Sequence, residues 1–156
     1  MTDVDLENFL KSRNIEYELI RHGKTYRADE ASKELGIPIS DIVKSVLFMT
    51  SEGKPVLVIV RGDKRVDQGK LARKLGTRKL RLATRDELLR ISGYEAGAVP
   101  PVGHINKIPT LIDNSIPIDA WVYAGGGSIG SSLKIKLRDI VQLQNASFTD
   151  CIQDQK

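Results

Sequence analysis

Two β-rich runs, residues 43–49 and 55–61, flank the polar tetrad Ser51-Glu52-Gly53-Lys54. Apolar and β-branched residues broken by so short a glycine-bearing link form an antiparallel hairpin. Around it, helical and strand periodicities alternate irregularly. Thr25 can cap a helix that puts Ala28, Ala31 and Leu35 on one face and stops at Gly36, with Pro38 preventing continuation. Thr84-Arg-Asp-Glu87 has the form of a capping box opening a helix that ends at Gly93. Helices are also predicted over residues 3–13, 67–75 and 138–143, and strands near 17–20, 79–83, 109–113, 120–124 and 133–137. The stretch Gly97-Ala-Val-Pro-Pro-Val-Gly103 reads as an ordered loop, because Pro100 and Pro101 remove two backbone donors. The polar tail after Asn145 is expected to fray. A hairpin inside this order implies an α+β fold, one mixed sheet wrapped by helices, rather than a doubly wound parallel sheet.

With 156 residues, 40% hydrophobic and 28% charged, the chain can bury one core and reads as a single domain over 1–156. The longest apolar runs, 45–49 and 56–60, fall far short of the ~20 residues that cross a bilayer. The acidic start, Met1-Thr-Asp-Val-Asp-Leu-Glu, lacks a secretory pattern, so a cytoplasmic location is expected and Asn145-Ala-Ser147 is not expected to be glycosylated. The single cysteine, Cys151, can form neither an internal disulfide nor a thiolate metal site, and His22 and His104 are no local ligand pair. No metal and no cofactor is expected.

Charge is informative by location. Residues 61–85 hold ten Lys or Arg against Asp63 and Asp67, a net +8 in a chain whose total is +4. A basic segment on an otherwise mildly acidic chain suits a polyanion, nucleic acid first, or is simply a solvated face. Arg73, Lys74, Arg78 and Lys79 are the side chains expected to track a phosphate backbone.

Gly125-Gly-Gly-Ser-Ile-Gly130 satisfies the dinucleotide fingerprint formally and fails it in context, because the alternating segment Leu133-Lys-Ile-Lys-Leu137 follows where a helix is required. Its side-chain-free backbone still allows N–H groups to approach a ligand oxygen, or it forms only a tight turn. Lys44 falls on one strand face with Ile42, Val46 and Phe48. An ammonium there either clamps a carbonyl or phosphate or snorkels to water. There is no G-x-S-x-G, and Cys151 has no histidine beside it in sequence, so an enzyme built from these parts would orient an activated ester and a water rather than form a covalent intermediate.

Taken in order, Tyr26 with Glu30-Ala31, Ile42-Val-Lys44, Gly97-Ala-Val-Pro-Pro-Val-Gly-His104, Leu111-Ile-Asp113 and Gly125-Gly-Gly127 resemble the YbaK and prolyl-tRNA-synthetase-associated editing domain over roughly residues 20–143. The resemblance implies a barrel-like mixed sheet surrounded by helices. It also implies hydrolysis, in trans, of the ester of tRNA mischarged with a small amino acid such as alanine or cysteine. The partners would be that tRNA and an aminoacyl-tRNA synthetase; a non-catalytic tRNA-binding module is the other reading. The family's lysine falls on Lys44, with Ser45 beside it, and its glycine pair on Gly126 and Gly127, whose N–H groups would face the oxyanion. Gly97, Pro101 and Gly103 match its proline-containing loop, and Tyr26 matches a pocket-rim aromatic or serves as a core tyrosine. His104 and Asp113 are site candidates with structural alternatives. Many relatives carry a histidine where Gly130 stands, so the group that positions water is unassigned.

Overall fold

The computed structural model describes residues 1–154. Thr2 accepts the Val4 N–H and, with Asp5, closes a capping box that starts α1 (Asp3–Ser12), whose Leu6 and Leu10 are fully buried. After β1 (Tyr17–Arg21), helix α2 (Ala28–Leu35) begins two residues later than Thr25 would have started it. Arg27 is the cap residue, and the Glu30 carboxylate accepts the N–H groups of Tyr26 and Arg27 at 3.0 and 3.1 Å. Thr25 is instead tied by its backbone N–H to the Ile129 carbonyl at 2.7 Å.

The hairpin is β2 (Val43–Thr50) and β3 (Pro55–Arg61), antiparallel with Lys44 opposite Val60. Helix α3 (Gln68–Leu75) is capped by Asp67, which accepts the Lys70 N–H at 3.0 Å, and leads into β4 (Leu80–Leu82). The predicted capping box opens α4 (Arg85–Ser92). A loop without regular structure reaches β5 (Thr110–Asp113), followed by β6 (Trp121–Gly125), β7 (Ser131–Lys136) and α5 (Leu137–Gln144). One element lies where fraying was expected: β8 (Ser147–Thr149) pairs parallel with β5. Beyond it, Cys151 is fully buried and Ile152 bridges Val66. Its backbone bonds and the burial of Cys151 hold the polar tail, although its surface side chains lack a hydrophobic pattern.

The strands form two sheets, β1-β7-β6 and β4-β2-β3-β5-β8, joined by a single parallel bridge between Ile42 and Tyr123. This is the expected mixed α+β architecture, but divided into two sheets rather than one and open along the seam where β6 meets the start of β2 at that bridge. One core lies between the sheets and helices α1 and α5, including Leu6, Leu10, Ile59, Leu133 and Ile140. A second, with Phe48, Val58, Val60 and Leu71, fills the opposite face of β3, so that strand is covered on both sides. Among the described residues, no helix is long and apolar enough to cross a membrane.

Candidate active site

The open seam is where chemistry can happen. On one side β2 pairs with β3 from Val43 to Met49, whereas on the other, among the described residues, β4 pairs only with Phe48, Met49 and Thr50, and β6, although it runs close by, bridges only at Ile42. The Leu47 carbonyl is satisfied by the Ala83 N–H at 2.9 Å. Peptide groups two residues apart on a strand point the same way, so those of Ser45 face the unpaired edge. A cavity of about 270 Å³ fills this gap.

Four predicted site residues, Tyr26, Lys44, Ser45 and Gly97, line it. Lys44 is half-buried, and the alternation expected for it holds, because Val46 and Phe48 pack together in the second core. Burial, and then the charge of Arg65, hold its ammonium below the ordinary lysine pKa, while Asp63 pulls the other way. That acid is engaged by Arg61 at 3.0 Å. The Ser45 Oγ is buried without a hydrogen-bond partner among the described residues, a donor and acceptor left for a ligand. Tyr26 is 60% exposed, which makes it a rim residue and not a core tyrosine. Gly97 adopts φ +86° and a β-carbon there would stand 3.3 Å from the Tyr26 ring, so the loop and the rim aromatic meet through a glycine.

The other candidates lie outside the cavity lining. The Gly127 N–H is donated to the Ala98 carbonyl at 2.9 Å, so it is no oxyanion donor, and a β-carbon at this position would collide with the backbone of Thr2 and Asp3. Gly126 is pressed against the backbone of Ser131 and Ser132. The glycine that reaches the wall is Gly125. Pro101 and Gly103 are buried, with Gly103 against Leu6 and Phe9 and its carbonyl accepting the Tyr94 hydroxyl at 3.3 Å. His104 donates from Nε2 to the Pro100 carbonyl at 2.7 Å, and burial lowers its pKa; it braces the loop. Asp113 is fully buried and accepts the Cys151 N–H at 3.1 Å together with the N–H and hydroxyl of Ser115, which assigns it to holding the tail.

Arg73 and Lys74 lie in the last turn of α3, and Arg78 and Lys79 precede β4; all four are exposed. They do not line the cavity, but Leu82 and Ala83 do, and Lys79 is about 10 Å along the strand from Leu82. Cations nearer the cavity were not singled out in the sequence. Arg27, Lys64 and Arg65 join Tyr26 and Lys44 around an adjoining cavity of about 450 Å³. Lys64 and Arg65 carried a signal, the +8 segment, whereas Arg27 is an isolated residue whose position only the fold reveals.

The model of the aminoacyl-tRNA editing domain matches residues 22–143. The chain is 36% identical over 99 residues to a proline-tRNA ligase of Aquifex aeolicus (64% of this chain, 17% of the ligase). It is 37% identical over 107 residues to that of Thermodesulfovibrio yellowstonii (69% and 18%). It thus spans less than one fifth of these ligases. A solved structure described as that of a candidate trans-editing enzyme for prolyl tRNA synthetase is 28% identical and superposes with a TM-score of 0.87 over 97% of both chains. An open-seamed mixed sheet, a half-buried lysine at its unpaired edge and a model match that takes in every element from α2 to β7 agree: this chain belongs to the aminoacyl-tRNA editing domain family.

Proposed function

We propose that the chain is a trans-acting deacylase, hydrolysing the ester of tRNA mischarged with a small amino acid, alanine or cysteine on tRNA-Pro or a similar tRNA, beside a prolyl-tRNA synthetase in the cytoplasm. The observation that carries this reading is the pairing of an apolar cavity at an unpaired strand edge with a second cavity that shares Lys44 and Tyr26 and in which Arg27, Lys44, Lys64 and Arg65 outnumber Asp29 and Asp63. The acyl group enters the first, against Ala28, Ala31 and Leu88, and the terminal phosphates rest in the second near Lys64 and Arg65. Lys44, at the boundary, holds the nearest phosphate or the ester carbonyl, and the Ser45 N–H and hydroxyl face the oxygen that becomes negative in the transition state. An aminoacyl ester is already activated, so positioning supplies much of what the reaction needs.

Selection in this reading is by the fit of the acyl group against Ala28, Ala31 and Leu88, but one methylene is worth only about 1–3 kcal/mol, so contacts to the tRNA body add to discrimination. Action in trans is supported by the match over nearly the whole of both chains to the candidate trans-editing enzyme. The test is deacylation of a panel of correctly and wrongly charged tRNAs. Hydrolysis confined to small wrong acyl groups is expected; binding without hydrolysis of any of them would make the chain a tRNA-binding module instead.

A further inference from the structure

One serine of the cavity wall is hydrogen-bonded to a histidine that stands behind it, outside the lining, and comes from a distant part of the chain. Ser132, on β7, lines the cavity and is 4% exposed. Its Oγ lies 2.8 Å from Nε2 of His22, 110 residues away in sequence. The two meet because His22 continues the β1 ladder, donating its backbone N–H to the Gly130 carbonyl at 2.9 Å, while Ser132 stands opposite Ile20. Residues two apart on a strand share a face, so the side chains of His22 and Ile20 stand on the same side as that of Ser132.

The other ring nitrogen decides the direction of the bond. His22 Nδ1 lies 2.6 Å from the Gly23 carbonyl oxygen, which can only accept. Nδ1 therefore carries the hydrogen, and in the neutral ring Nε2 is the acceptor, leaving the Ser132 hydroxyl to donate to it. A hydroxyl donating to an imidazole whose far nitrogen is anchored is the arrangement that draws a proton away from oxygen.

We propose that Ser132 and His22 form the proton relay of the ester hydrolysis, with Ser132 touching the attacking water and His22 acting through it. This rests on the deacylase reading above. Water attacks the ester carbonyl carbon and gives its proton to Ser132 Oγ as the serine's own proton passes to His22 Nε2. The tetrahedral intermediate then collapses, the bond from the carbonyl carbon to the ribose oxygen breaks, and that oxygen takes the proton back from His22 through Ser132. The products are the free amino acid and the uncharged tRNA end, and the relay is restored.

The experiment compares wild type, His22→Ala, Ser132→Ala and the double variant on a mischarged small-aminoacyl tRNA, with circular dichroism as the check on folding. Each single variant should lose roughly 100-fold or more in kcat, the scale of a general base, with KM unchanged. The double variant should be no worse than either, because the two groups act as one unit. Added imidazole should restore part of the His22→Ala rate, which a merely structural histidine would not allow. Should His22→Ala fail to fold, Ser132→Ala, which removes a single oxygen, carries the test. Folded variants with wild-type kcat would overturn the relay, and so would an acyl-serine trapped by acid quench and mass spectrometry. A wild-type chain that hydrolyses no aminoacyl ester would overturn the deacylase reading itself, a result distinct from active wild type with indifferent variants.

Discussion

The carbonyl of Val99 occupies the space that a β-carbon on Gly125 would need. Both residues line the cavity, so two of its walls, the proline-containing loop and the end of β6, touch backbone to backbone. Gly125→Ala must therefore displace main chain and not merely a flexible side chain. It is expected to destabilise the fold by about 1–3 kcal/mol and to lower the melting temperature by several degrees. Deacylation should fall with it, because the displaced segments are the site. An alanine variant with unchanged melting and turnover would show that the loop does not pack there.

Lys44→Ala should leave the circular dichroism spectrum intact and lower deacylation by at least ~10-fold, the effect of losing about 1.4 kcal/mol of transition-state interaction. Wild-type turnover in a folded variant would remove Lys44 from the site.

The same lysine is predicted to subtract stability. Burial and the charge of Arg65 hold its pKa below the ordinary value, so the native state binds this proton less tightly than the unfolded chain. The penalty is fully present below the folded pKa and is relieved as pH rises toward the unfolded value. Lys44→Met should thus melt above wild type at neutral pH, with the gap narrowing toward about pH 10, where lysine in the unfolded chain loses its proton. A pH-independent gap would trace the gain to packing alone.

Asp113→Ala removes the acceptor of the Cys151 and Ser115 donors inside the protein and should cost about 2–4 kcal/mol, seen as a lower urea midpoint. Cys151→Ser, by contrast, should leave deacylation unchanged. Burial and then the neighbouring Asp113 carboxylate push the Cys151 thiol up to about 12, so iodoacetamide should label it only after denaturation. Rapid labelling of the native protein would mean that the tail detaches.

Reversing Arg73, Lys74, Arg78 and Lys79 to glutamate should weaken binding of every tRNA tested and flatten the salt dependence, since each phosphate neutralised releases counterions. Hydrolysis of a minimal substrate lacking the tRNA body should change little, because these exposed side chains lie outside the cavity. Wild-type affinity with an unchanged salt slope would leave the basic segment a solvated face and put the tRNA elsewhere.

What was legible in the amino-acid order was local. The hairpin, the capping box at Thr84 and Glu87 and the glycine stop after α2 follow from residues within a few positions of one another, and the amphipathic face of α1 follows from its repeat. The placement of Lys44 on an apolar strand face was equally local, because alternation along a strand is a rule of the backbone. Tertiary structure decided the rest. Nothing near Asn145 predicts β8, whose order comes from β5 and from the buried Asp113 carboxylate behind it. The glycines at 125–127 looked like ligand donors, yet the Gly127 N–H is already used and Gly125 is required by the approach of Val99. The unpaired edge at Ser45 exists only because β4 and β6 stop short of it on either side. His22 and Ser132 become partners only when β1 and β7 lie side by side. Residue type and spacing dictate dihedral angles and faces over a few residues; which groups remain unsatisfied, and therefore free for chemistry, is settled by contacts between segments far apart in the chain.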